Sequence, residues 1–295
     1  MSDNIRQEEV DQIVKAIFED YEGGKTIDEV NLYNKPDKHE VQELVNCLFQ
    51  IVYPGYFRDT TYRIYNPKNS FAVVIEDTFY RLNKQVKLAL DYYTRKGDLK
   101  EEHQEEESYR ICKEFFAKIP MIREYLESDL HATFEGDPSA GCFEEIILAF
   151  PGLFAITVFR MAHELYLAKV PVLPRLMSEY AHSLTGIDIH PGATIDKHFF
   201  IDHGTGIVIG ETSIIGKNVK IYQGVTIGAL STRGGQRLSG KKRHPTICDN
   251  VTIYANASIL GGDTVIGENS VIGGNSFITS SVEPNSKVSM KSADN

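Results

Sequence analysis

Two stretches decide the fold: IDIHPGATIDKHFFIDHGTGIVIGETSIIGKNVKIYQGVTIG at residues 187–228 and ICDNVTIYANASILGGDTVIGENSVIGGNSFITSSV at residues 247–282. Isoleucine recurs every six positions in both. Ile189, Ile195, Ile201 and Ile207 form one series, and Ile209, Ile215, Ile221 and Ile227 a second, two residues out of phase. Ile247, Ile253 and Ile259 resume after a polar break, and Ile266, Ile272 and Ile278 close the run. A row of small or aliphatic residues follows four places behind, as at Val219, Val225, Val251 and Ala257. Six is neither the helix period nor simple strand alternation. It fits a short flat side and a corner, repeated. Three such sides make a coil of roughly eighteen residues, one rung of a β-solenoid. The isoleucines point inward and stack from rung to rung. Gly210, Gly216, Asn218, Gly267, Asn269 and Gly273 suit the corners, where positive φ is often required.

Upstream, VDQIVKAIFEDY, HEVQELVNCLFQIV and EDTFYRLNKQVKLALDYYTRK carry apolar residues at three and four spacing and read as helices. Pro54-Gly55 and Asn66-Pro67 punctuate them, and EEHQEEE (residues 101–107) reads as a solvated helix face or linker. Asp137-Pro138 fits a helix start. LFAITVFRMAHELYLAK and LMSEYAHSL are further helices, and Gly186 is a C-terminal stop. The expected architecture is α+β: a helical segment over residues 1–185, a solenoid over 186–283 with a loop at 228–246, and a short tail at 284–295.

The 295 residues are 42% hydrophobic, enough for a sizeable core, and the net charge of −10 argues against sequence-independent nucleic-acid binding. No apolar run approaches a membrane span and the N-terminus is no signal peptide, so a cytoplasmic protein is expected. Cys47, Cys112, Cys142 and Cys248 are scattered and read as reduced thiols.

Two clusters interrupt the ladder with chemistry. Asp188 and His203 lie fifteen residues apart, close to one rung, so stacked strands would bring a carboxylate beside an imidazole. That pair suits a general base held in one tautomer; a corner histidine bonded to a backbone carbonyl fits as well. The second cluster is the break GALSTRGGQRLSGKKRHP, residues 228–245, with Arg233, Arg237, Lys241, Lys242 and Arg243. A loop ejected from a solenoid often carries function, and its cations suit carboxylate or phosphate. His190, His198, His203 and His244 give no obvious three-ligand set, so no metal site is expected.

GIDIHPGA, FIDHGTGIVIGET, YQGVTIG and KRHPTI, in this order, closely resemble the serine O-acetyltransferases of the hexapeptide-repeat acyltransferases. DPSA (residues 137–140) and YPGYF fit the helical part of that family more weakly. The resemblance implies a left-handed parallel β-helix, a hand opposite to the usual rule for parallel crossovers. It implies transfer of acetyl from acetyl-CoA, a co-substrate, to L-serine by direct attack, the first step of cysteine synthesis. It makes His203 the base and Asp188 its orienting carboxylate. Asp137 and Asp202 would bind the serine amino group, Arg243 and His244 its carboxylate, and Glu211 would support the site. Gly228, Ala229, Tyr254 and Ala255 fall where acetyl-CoA would lie. The family forms trimers or dimers of trimers. The chain departs from it in a longer loop, in Tyr254 and Asn256 where glycines are common, and in Phe154 where a histidine is usual. The Asp294-Asn295 ending leads us to expect no docking to the sulfhydrylase through a C-terminal isoleucine. The alternatives are an acyltransferase for another hydroxyl acceptor and a non-catalytic assembly protein on the same scaffold.

Overall fold

The computed structural model describes residues 7–27, 35–57, 67–94 and 101–289. The chain divides into two units, residues 1–35 and 36–295. The first holds α1 (Gln7–Tyr21), which buries none of its side chains.

In the second unit, α2 (Lys38–Val52) starts where the Asp37 carboxylate accepts from the Glu40 amide at 2.9 Å. Its apolar stripe, Val41, Leu44, Val45, Leu48 and Phe49, is fully buried. Then follow α3 (Pro67–Thr94), α4 (Glu101–Ala117), α5 (Ile119–Gly136), α6 (Phe143–Ala149), α7 (Pro151–Leu167) and α8 (Leu173–Thr185). The acidic run 101–107 is helical, the start of α4, and the described Gln104 is buried. Asp137 does not start a helix. It is the C-cap of α5, its carboxylate turns back onto the Ser139 amide at 2.8 Å, and α6 begins only at Phe143. α7 is apolar almost all round and correspondingly buried. α8 ends at Gly186 in the left-handed conformation, φ +70°, as expected. Among the described residues no single helix is long and apolar enough to cross a membrane.

Among the described residues, fourteen short strands then build three parallel faces, numbered in chain order. The first face holds β1 (Asp188–Ile189), β4 (Val208–Ile209), β7 (Thr226–Gly228), β10 (Ser258–Leu260) and β13 (Phe277–Ile278). The second holds β2 (Thr194–Ile195), β5 (Ile214–Ile215), β8 (Thr246–Ile247) and β11 (Val265–Ile266). The third holds β3 (Phe200–Asp202), β6 (Lys220–Tyr222), β9 (Thr252–Ile253), β12 (Val271–Ile272) and β14 (Lys287–Val288). The tail expected from 284 therefore adds β14 to the third face, while residues 290–295 lie outside the described part.

The ladder isoleucines stack in register, Ile189 on Ile209 on Ile227 on Ile259, and Ile201 on Ile221 on Ile253 on Ile272. All are almost completely buried, each contributing about 1.5–3 kcal/mol of apolar transfer. One edge is lined by Asn218, Asn250, Asn269 and Asn285, all at positive φ, with each side-chain amide donating to the next at 2.9–3.2 Å. The core is continuous from α2 through the solenoid: Leu44, Phe159, Ile187 and Ile221 belong to one cluster. Helices give way to strands between Thr185 and Asp188 without a break in packing.

Candidate active site

His203 follows β3 at the edge joining the third face to the first, with φ +54°. A non-glycine residue in that region is uncommon and marks a constrained position. Its side chain is 72% exposed, and Nε2 lies 3.5 Å from Asp202 Oδ1. Asp137 stands close by because of how α5 ends. Gly136 sits directly on the Phe200 ring, which points out of β3, and Asp202 projects from the same strand two residues on. Burial raises the Asp202 carboxyl above its ordinary value; the charge of Asp137 adds to this and His203 opposes it. One register step below Asp202 is Tyr222, and its ring stacks on Tyr254 at 5.0 Å.

The pairing of Asp188 with His203 expected from one-rung spacing is not formed. Asp188 is in register with Val208, because the His203–Ile207 corner makes this rung longer than three hexads. The two residues flank one corner: Gly206 N donates to Gly186 O at 2.8 Å and Asp188 N to Ile207 O at 2.9 Å. The Asp188 carboxylate instead faces Arg175 of α8, with Nη1 at 3.9 Å, and Arg175 also holds Glu179 at 2.5 Å.

The second cluster occupies a different edge, between the first and second faces. The loop leaves after β7 and returns at β8, with a 3₁₀ turn at Gly235–Leu238. Its return is tied down by main-chain bonds. The Thr212 hydroxyl accepts from Arg243 N at 2.9 Å and His244 N at 3.1 Å. Lys242 Nζ donates to the carbonyls of Thr212 (2.8 Å), Pro245 (3.1 Å) and His244. Arg243 Nη2 donates to Glu211, whose other oxygen accepts from Tyr166 at 2.9 Å. His244 is buried, its ring lying so close on the Gly210 backbone that no Cβ would fit there. Its Nδ1 accepts from the Thr212 amide at 3.0 Å. Burial, with the neighbouring Arg243 charge, pulls its pKa down to about 4. His244 is thus a neutral imidazole with a hydrogen on Nε2, a donor rather than a cation.

Arg243 and His244, which the resemblance assigns to the same acceptor as His203, therefore stand at a different edge from it. In one chain the two clusters are separated by the width of the first face. The possible acetyl-CoA positions divide in the same way. Gly228 and Ala229 belong with Arg243, where Ala229, Lys242, Gly261 and Thr279 line a cleft of about 290 Å³. Tyr254 and Ala255 belong to the edge of His203. Asn256, where glycine was expected, takes φ +60° and lies over Gly224, so the asparagine satisfies the corner. Phe154 stacks on Phe49 at 4.9 Å and packs among the helices. The four histidines weighed as metal ligands are spread over three edges, and His198 Nδ1 bonds Asn218 Oδ1 at 3.1 Å.

Sequence reasoning passed over Tyr166, Thr212 and Tyr222. Tyr166 lies in an apolar helix, where a tyrosine needs a partner for its hydroxyl, and that need is the signal that could have marked it.

No protein-family model matches the chain. A plasmid-encoded serine acetyltransferase of Synechococcus elongatus is 39% identical over 225 residues, 74% of this chain and 70% of that protein. The serine acetyltransferase of Bacillus subtilis is 48% identical over 131 residues, 44% of this chain and 58% of that one. The crystal structure of Entamoeba histolytica serine acetyltransferase 1 in complex with L-cysteine superposes with a TM-score of 0.72 at 33% identity, covering 86% of this chain and 96% of that one. The first of these relatives spans most of both chains at an identity that fixes kinship, and the solved structure repeats the helices and the solenoid together. The chain belongs to the serine acetyltransferase family.

Proposed function

We propose that this chain transfers the acetyl group of acetyl-CoA to the hydroxyl of L-serine, giving O-acetyl-L-serine and CoA. The observation that carries this reading is the gathering of Asp137 and Asp202 beside the exposed, conformationally constrained His203. Two carboxylates next to a base suit an acceptor that carries an ammonium group close to its nucleophile. Serine presents that arrangement, and its own carboxylate needs the donors of Arg243 and His244.

The serine ammonium takes Asp202 and Asp137, which frees His203 from Asp202. The imidazole then turns across its corner toward Asp188, which fixes its tautomer. His203 removes the hydroxyl proton as the serine oxygen attacks the thioester carbonyl. A C–O bond forms, the C–S bond breaks, and the proton passes to the departing thiolate. No acyl-enzyme is needed, because one base serves both proton movements.

The acceptor site needs both edges of the solenoid, and one chain holds them apart. A homotrimer, alone or as a dimer of trimers, sets the Arg243 edge of one copy against the His203 edge of the next. Acetyl-CoA then lies in the groove between copies, beside Ala229 and Tyr254.

Purified protein mixed with acetyl-CoA and L-serine should release CoA thiol, and His203→Ala should lower that rate by roughly 10²–10⁴-fold. Wild-type release no faster than that of His203→Ala would refute the reading.

A further inference from the structure

Behind Arg243 stands a residue that touches no reacting atom. Tyr166, in the last turn of α7, donates its hydroxyl to Glu211 Oε1 at 2.9 Å, while Arg243 Nη2 takes Oε2. Gly192 backs both groups: a Cβ there would lie 2.8 Å from the Tyr166 ring and 3.0 Å from Glu211 Cγ. The His190 ring stands edge-on to Tyr166 at 5.8 Å. Ring, carboxylate and corner backbone are in mutual contact, so Glu211 has little room to turn.

The arrangement has a consequence for the guanidinium. A carboxylate left alone with an arginine tends to take it in a two-pronged grip, using both oxygens. Here one oxygen is already occupied by the phenol. Arg243 gives Glu211 one nitrogen, and Nη1 makes only two long contacts, 3.4 Å each, to the carbonyls of Leu238 and Lys241. A guanidinium has five N–H donors, so one side of Arg243 stays open to a second carboxylate.

We infer that Tyr166 is a positioning residue for the acceptor: by holding one oxygen of Glu211 it keeps Arg243 from being gripped at both nitrogens and leaves it free to bind the acceptor carboxylate. The inference rests on the proposed role of Arg243 and adds the part played by a helix residue outside the solenoid.

The test is Tyr166→Phe, which keeps the ring packing and removes only the hydroxyl. The KM for serine should rise about tenfold, as for the loss of one hydrogen bond to a charged group. The KM for acetyl-CoA and the melting temperature should stay close to wild type. Because Tyr166 acts through Glu211, adding Tyr166→Phe to Glu211→Gln should raise the serine KM less than twofold further. A serine KM within twofold of wild type in Tyr166→Phe overturns the inference. So does an equal rise in both KM values, or effects of Tyr166→Phe and Glu211→Gln that simply multiply. Wild-type protein inactive on serine would instead overturn the proposed function, so the two failures are distinguishable.

Discussion

Thr212 and His244 are locked face to face: the Thr212 amide donates to His244 Nδ1 at 3.0 Å, and the Thr212 hydroxyl accepts from the His244 amide at 3.1 Å. The imidazole must be neutral for the first bond to exist. Its neighbours, Arg243, Lys242 and His190, all oppose a positive charge, and only Glu211 favours one. The folded-state pKa, about 4, lies below the ordinary 6.5. In the window between these values the unfolded chain binds more protons, so stability falls as pH falls. His163 and His190, both depressed by burial, act in the same direction. Chemical unfolding followed from pH 7 to pH 4.5 should lose stability with a limiting slope of about 1.4 kcal/mol per pH unit for each such group. His244→Gln should flatten that slope. Equal slopes in the two proteins would show that His244 does not titrate in this way.

The separation of His203 from Arg243 by a whole face makes a test of assembly. His203→Ala and Arg243→Ala each remove one half of a site that two copies share. Co-expressed and purified as mixed oligomers, the two variants should recover a substantial fraction of wild-type activity, since some interfaces then hold both intact halves. Oligomers of either variant alone should stay inactive. Mixed assemblies no more active than the separate variants would mean that one chain builds its own site.

The fold was legible because the solenoid repeats one local rule. A six-residue period leaves the inward face no choice, and every ladder isoleucine expected to be core is packed there apart from the partly covered Ile278 at the end of the run. Site geometry was less legible because it depends on rung length, which the corners set. The His-Gly-Thr-Gly corner at 203–206 lengthens the first rung and carries Asp188 out of register with His203. Neither period nor spacing reveals which of three edges a residue occupies once the hexads shift phase. Hence Arg243, which the resemblance sets on the same acceptor as His203, is found at another edge. Asp137 was expected to start a helix and instead ends one: DP after a helix serves as a C-cap and turn as readily as an N-cap.

Asp188 and Asp202 should separate kinetically. In the structure His203 faces Asp202, and the proposed mechanism turns the ring toward Asp188 as the serine ammonium takes Asp202. Asp202→Asn should therefore raise the serine KM, through loss of an ammonium partner. Asp188→Asn should lower kcat on the order of 10²-fold or more while changing that KM little, since an orienting carboxylate acts on the base. Steady-state kinetics on the two variants decide the point. A kcat for Asp188→Asn within threefold of wild type would remove Asp188 from the chemistry.

The position of Asp137 depends on a buried clasp between α5, α7 and the first rung. Asp129 is completely buried and takes Arg160 at 3.1 Å through both Nε and Nη2, while its Oδ1 also accepts from Phe199 N at 2.9 Å. Arg160 continues to the carbonyls of Asp196 at 2.7 Å and Ile195, the corner after β2. A buried ion pair of this kind adds little net stability over well-packed apolar groups, but breaking one half leaves an unpaired charge where water cannot reach. Arg160→Met should therefore destabilise the protein by about 3–5 kcal/mol in urea unfolding. Replacing Asp129 by Leu in that background should recover part of the loss, because the stranded carboxylate is gone. The surviving fold should also show a raised serine KM in Arg160→Met, as the end of α5 that carries Asp137 loses its hold on the solenoid. A double variant less stable than Arg160→Met would mean that the Asp129 bond to Phe199 N, rather than the ion pair, holds the helices to the first rung.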